Sequence, residues 1–244
     1  METNNFNYVQ SQEESAAMSK TFLSSVFSWM FAALIITSLV AYYFGNNSEL
    51  TSLLFREQLG RLRPTPTILG YGVMISPLAF ILVISFGFNR ISYPVLLFLF
   101  LLFSAVMGAS MSSVFSAYTA GSIYTTFAAT SGMFGLMAVV GYTTKTDLTN
   151  FGSIMMMGLI GIIIATLINW FLQSSGLDYI ISFVGVLVFT GLTAYDVQKL
   201  KRIGSGVEFG TESTSKLVIM GALNLYLDFI NLFMMLLRLF GDRK

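Results

Sequence analysis

The sequence predicts an all-α polytopic membrane protein with seven transmembrane helices, and three observations carry that prediction. Hydrophobic residues make up 55% of the 244 and charged ones only 10%, against roughly 25% charged in soluble domains. Seven apolar stretches recur along the chain, each near the roughly 20 residues that a helix needs to cross a bilayer. The last of them, Lys216 to Arg238 (KLVIMGALNLYLDFINLFMMLLR), carries a single acid, Asp228, near its middle.

That acid sets the expected architecture. At about 100° per residue, Gly221, Asn224, Asp228, Asn231 and Met235 fall within roughly 80° of one another, so the polar groups share one stripe. A carboxyl group at the bilayer centre costs roughly 2.5–3.5 kcal/mol on insertion scales, so the stripe must face helices or water and not lipid. The last helix is therefore expected to be central, surrounded by the other six.

Composition also removes function classes. A net charge of +1 gives no basic field for nucleic acid. The absence of cysteine excludes thiolate nucleophiles, iron–sulfur sites and cysteine-bound zinc. The absence of histidine excludes histidine-ligated haem, histidine zinc sites and every Ser/His pair. Carboxylates are left for proton or metal chemistry; no tightly bound cofactor and no catalytic residue is expected.

Residues 1–20, with Glu2, Glu13, Glu14 and no basic leader, read as a polar N-terminal tail and not a signal peptide. Residues 21–244 read as one seven-helix domain, with spans at about 22–44, 68–88, 93–114, 121–142, 152–172, 179–198 and 216–238. In the connection after the first span, Leu50, Leu53, Leu54 and Leu62 with Arg56, Arg61 and Arg63 are compatible with a short interfacial helix ending at Pro64 and Pro66, or with a solvent loop. Pro77 sits inside the second span, where neighbouring helices can satisfy the carbonyl it frees.

Small residues four apart punctuate the middle of the chain. They are Ser104, Gly108, Ser112 and Ser116 in span three, Ser122, Thr126 and Thr130 in span four, and Gly158, Gly161 and Ala165 in span five. Such spacing lets helix backbones approach closely; a hydroxyl-lined polar pathway is the competing reading.

Span six ends in VFTGLTAYDVQKLKR, placing Asp196 one turn before Lys199, Lys201 and Arg202. Alone, such an acid can pair with a lysine. Of the 12 acids, however, Asp196 and Asp228 are the two inside the expected spans. Two carboxyls in contact cannot both ionise cheaply, so they would share a proton and titrate as a unit. That makes a proton sensor, a cation site, or both. Contact requires span six to continue past Asp196, or span seven to project at its start, because Asp228 lies about 18 Å along its helix from Lys216.

From about Lys20 onward the chain resembles the Bax inhibitor-1 family, in particular its bacterial YccA-like members. The matching stretches are Ser76-Pro77-Leu78-Ala79-Phe80 with Ser85-Phe86-Gly87, Gly141-Tyr142-Thr143-Thr144-Lys145-Thr146-Asp147-Leu148, Thr190-Gly191-Leu192-Thr193-Ala194-Tyr195-Asp196, and Ala222 through Phe233 (ALNLYLDFINLF). The resemblance implies a seven-helix fold whose last helix is wrapped by the rest. It implies that Asp196 and Asp228 are the family's paired aspartates, associated with a pH-dependent calcium leak. A basic residue at the end of the second helix latches onto the pair in some members; the nearest match is Arg90, with Asn89 beside it as the alternative. Family members are also linked to restraint of cell death and to membrane proteases.

The expected function is a pH-sensitive calcium leak gated by the aspartate pair, with lipid, calcium and protons as partners. Calcium prefers six to eight oxygen ligands, so Asp196 and Asp228, even with Asn224 or Asn231, make only a weak, transient site. A non-conducting regulatory protein acting on other membrane proteins is the alternative, its acids setting helix register. An intramembrane aspartyl protease fits less well: Tyr195-Asp196 matches half of the required pair, but Asp228 follows Tyr226-Leu227 with no glycine beside it. A bacterial plasma membrane is expected, with the N-terminus cytoplasmic. Seven full spans put seven basic residues on the N-terminal side against six opposite, and a re-entrant last helix would make it ten against three.

Overall fold

A backbone in hydrocarbon finds no water to bond, so each apolar run must close its hydrogen bonds internally, as a helix. The structure, a computed structural model, describes residues 2–56, 65–208 and 210–244, with the backbone alone for 2–12. In chain order its elements are α1 (Glu2–Asn46), α2 (Ser48–Leu54), β1 (Phe55–Arg56), β2 (Thr65–Pro66), α3 (Ile68–Gly87), α4 (Tyr93–Met111), α5 (Ser113–Ala117), α6 (Ala120–Thr143), α7 (Thr149–Leu172), α8 (Ser175–Gly204) and α9 (Glu212–Phe240). Seven helical segments among the described residues are long and apolar enough to span a membrane, α4 and α5 together forming the third. They coincide with the seven expected spans, and α3 runs unbroken through Pro77.

At the N-terminus α1 starts at Glu2, and the hydroxyls of Ser15 and Ser19 donate to the carbonyls of Ser205 and Lys201 at the end of α8. Polar residues continue a helix when its neighbour offers acceptors. In the connection after the first span the helix, α2, ends at Leu54. Thr67 caps it, its N–H donating to the Leu54 carbonyl at 2.8 Å and its hydroxyl to the Leu53 carbonyl at 2.5 Å. The chain then turns extended, and β1 pairs antiparallel with β2. Arg61, Leu62, Arg63 and Pro64 lie outside the described residues.

The chain groups into two compact units, Met1–Ser28 with Tyr124–Gly241, and Trp29–Ile123 with Asp242–Lys244. In the first, α8 packs along both α7 and α9. The faces of α9 that look purely apolar in sequence are its core: Leu223, Leu225, Tyr226, Leu232 and Leu237 are almost wholly buried. Phe127 and Phe134 of α6 meet Phe229 edge-on, with ring centres 5.4 and 5.5 Å away. In the second unit α3 packs on α4, and Thr37 donates to the Ser104 carbonyl at 2.8 Å.

Small residues serve that packing. Ser104, Ser112, Ser122, Thr126 and Thr130 are buried, and a Cβ on Gly108 would stand 2.5 Å from the Thr37 carbonyl oxygen. The pattern is incomplete at Ser116, which is exposed, and at Gly161, where an added Cβ would meet nothing within 4 Å.

Candidate functional site

Two close approaches fix the register of α8 against α9. A Cβ on Gly185 would lie 2.8 Å from Met235 Cγ, and one on Gly221 would lie 2.7 Å from Leu200 Cδ2. The helices are therefore antiparallel, and Asp196 and Asp228 lie between these two closures. Their carboxyl groups come within hydrogen-bonding reach of each other. Both of the extensions that contact called for are present. Helix α8 continues eight residues past Asp196, to Gly204 (204 − 196), and α9 begins sixteen residues before Asp228, at Glu212 (228 − 212).

The two acids have unequal surroundings. Asp228 is only 6% exposed, whereas Asp196 is half-buried. Among the described residues, Asp228 Oδ2 is buried and has no hydrogen-bond donor. An ionised carboxylate only accepts, so two of them face each other as acceptors. A proton on either converts the contact to a charge-assisted hydrogen bond, and a cation between them would serve the same acceptors. Lys199, one turn beyond Asp196, is exposed and lies 6.0 Å from the centre of the Tyr195 ring.

The other expected site residues are placed less directly. Asn224 and Asn231 flank Asp228 by about one turn on the same helix. Asn224 is exposed, and Asn231 spends an amide proton on its own Leu227 carbonyl at 2.8 Å, leaving its side-chain oxygen. Arg90 is exposed in the turn after α3, within the second unit; its backbone N–H donates to the Gly87 carbonyl at 2.8 Å.

A second polar cluster, unassigned from sequence, ties the α6–α7 loop to the same helix. Gln198 Oε1 accepts the Leu148 N–H, and Gln198 Nε2 donates to the Thr146 carbonyl, each at 2.8 Å. Arg202 Nη2 donates to Asp147 at 2.7 Å and also to Gln198 Oε1, while Nη1 reaches the Thr149 hydroxyl at 3.2 Å. Asp147 also accepts from the Thr149 hydroxyl and N–H, and these bonds, with help from Arg202, hold its carboxyl down to about 2. The signal was available in Asp147-Leu148-Thr149, an acid two residues before a helical N–H, but its partners lie some fifty residues away.

A family model described as inhibitor of apoptosis-promoting Bax1 matches residues 19–244. The chain belongs to the Bax inhibitor-1 family. Similar members include the inner membrane protein YbhL of Escherichia coli, 45% identical over 226 residues that cover 92% of this chain and 93% of the relative. An uncharacterized protein of Borreliella burgdorferi is 41% identical over 96% of this chain and 97% of its own length. One from Deinococcus radiodurans is 36% identical over 95% of each. With seven spanning helices and this membership, the chain is a multi-pass membrane protein of the Bax inhibitor-1 family.

Proposed function

We propose that this Bax inhibitor-1 family member conducts a pH-sensitive leak of cations, calcium foremost, and that Asp196 and Asp228 control it. The observation that carries the reading is the buried Asp228 Oδ2, which has no donor among the described residues, on a carboxyl group that lies within hydrogen-bonding reach of Asp196. A buried acceptor left bare is costly, and a proton or a cation would satisfy it.

Three states follow from the pair. With one shared proton, a carboxyl–carboxylate hydrogen bond holds α8 to α9. With both acids ionised, they repel unless a cation lies between them. With both protonated, the attraction for a cation is gone. Calcium is a passing substrate: two aspartates with the Asn231 side-chain oxygen fall short of its six to eight ligands, and water must supply the rest. A weak site suits passage. The proposed setting is a bacterial inner membrane, as the name of YbhL states for that relative, with the α6–α7 and α8–α9 loops cytoplasmic. Arg90 is proposed as the basic latch on the pair.

The closures at Gly185 and Gly221 favour a second reading, in which the acids only set register in a non-conducting regulator. Calcium influx into proteoliposomes separates the two. Wild type should conduct with a marked pH dependence that both Asp196→Asn and Asp228→Asn abolish. Unchanged pH dependence in both variants would defeat the gate, and wild-type flux no greater than that of protein-free vesicles would favour the regulator.

A further inference from the structure

In the first unit, α1 passes the end of α8 and the loop after α6 along an open cavity of about 850 Å³. The start of the α1 span supplies Ser15 and Ser19, the loop after α6 supplies Lys145 and Asp147, and the end of α8 supplies Lys201 and Arg202. Three cations stand against one acid. The cavity adjoins the start of the candidate span Glu13–Asn46 and the ends of Ala120–Thr143 and Ser175–Gly204, and the ends of a span are where a bilayer places its headgroups.

The donors are only partly spent. Lys145 has no hydrogen bond or ion pair among the described residues and is exposed. Lys201 gives one proton to the Tyr142 carbonyl at 2.7 Å, with the Tyr142 ring 4.8 Å away, and a lysine carries three. Arg202 places part of its fork on Asp147, Gln198 and Thr149 and keeps the remainder. Partial negative charge at the ends of α6 and α8 accounts for Lys201 and Arg202 as helix-capping cations. It does not account for Lys145, which projects from the loop.

We infer that this cavity binds the phosphate of an anionic phospholipid headgroup, with Lys145 and Lys201 as its main contacts and Arg202 holding the loop that presents Lys145. A phosphate offers acceptors to donors converging from several directions, and basic pockets between spans are where anionic headgroups lodge. The inference does not depend on cation conduction.

The test is lipid retention by the purified full-length protein, measured by native mass spectrometry after exposure to equal amounts of phosphatidylglycerol and phosphatidylcholine. Wild type should retain the anionic lipid preferentially. Lys145→Gln should cut that preference about fivefold, the share of one surface lysine, and Lys145→Gln with Lys201→Gln should bring it close to parity. Arg56→Gln, exposed on β1, should leave it unchanged. Because Lys145 makes no hydrogen bond or ion pair among the described residues and is exposed, its single variant reads binding. Equal retention of both lipids by wild type, or full preference kept by Lys145→Gln, would overturn the inference. So would stabilisation by inorganic phosphate without lipid preference, which would make the ligand a free anion.

Discussion

Asp228 and Asp196 were legible as residues because an acid in an apolar run has few excuses. Their contact was not, since it depends on how far α8 and α9 continue as helix beyond the apolar runs. Polar ends such as Lys199 to Gly204 and Glu212 to Ser215 are helical here, although hydropathy alone places them outside a span. Asp147 shows a different limit, because its partner Arg202 is 55 residues away. Its folded carboxyl titrates near 2, below the ordinary 3.8. A depressed pKa means that the stabilisation is present above the ordinary value and is lost as pH falls through about 2. The melting temperature should therefore fall between about pH 4 and about pH 2 by more in wild type than in Asp147→Asn. Asp147 is exposed, so the difference should be small; parallel melting curves for the two proteins would mean that the Thr149 and Arg202 bonds do not persist in solution.

At the scale of elements, α8 joins most of the first unit. One face meets α9 at Gly185 and Leu200, another meets α7 at Gly152, where a Cβ would lie 2.3 Å from the Tyr195 ring, and a third meets α6 at Gly141. At Gly141 an added Cβ would stand 2.2 Å from the Ala194 carbonyl oxygen. Backbone cannot swing aside as a side chain can, so Gly141→Ala should cost about 2–3 kcal/mol, at the upper end for overpacking. Gly161→Ala, inside α7 with open space around it, should not destabilise and should gain up to about 1 kcal/mol from helix propensity. Comparing melting temperatures of the two variants checks both. The small-residue spacing was visible in the sequence, but which glycine touches backbone was not, because spacing carries no information on the neighbour. Gln198 gives the loop counterpart. Gln198→Leu removes both bonds to Leu148 and Thr146 and should cost about 1–3 kcal/mol by leaving backbone groups unpaired. Hydrogen exchange at the Leu148 amide should quicken, and an unchanged rate would show that the clamp does not hold the loop.

For the whole molecule, seven spans were readable because bilayer thickness sets helix length independently of what each helix packs against. The grouping into two units was not readable, since α1 and α6 each divide between them at Ser28 and Ile123 without any change in composition. The span count has a consequence that labelling can measure directly. Two crossings, α7 and α8, return the chain to the side it left, so the α6–α7 and α8–α9 loops must share one face and the α7–α8 turn must lie opposite. Lys145 belongs to the first loop, and Lys199, Lys201 and Arg202 close α8 beside the second, so the orientation proposed above, in line with the positive-inside rule, expects the shared face to be cytoplasmic. The protein has no cysteine of its own, and single cysteines at exposed Thr146, Glu208 and Ser175 therefore report without background. An impermeant maleimide should label Thr146→Cys and Glu208→Cys only in inverted vesicles, and Ser175→Cys only in right-side-out ones. Labelling of Thr146→Cys and Glu208→Cys from opposite sides would mean that α7 or α8 does not cross. The shared face would then be lost, and with it the placement of both polar loops at one surface.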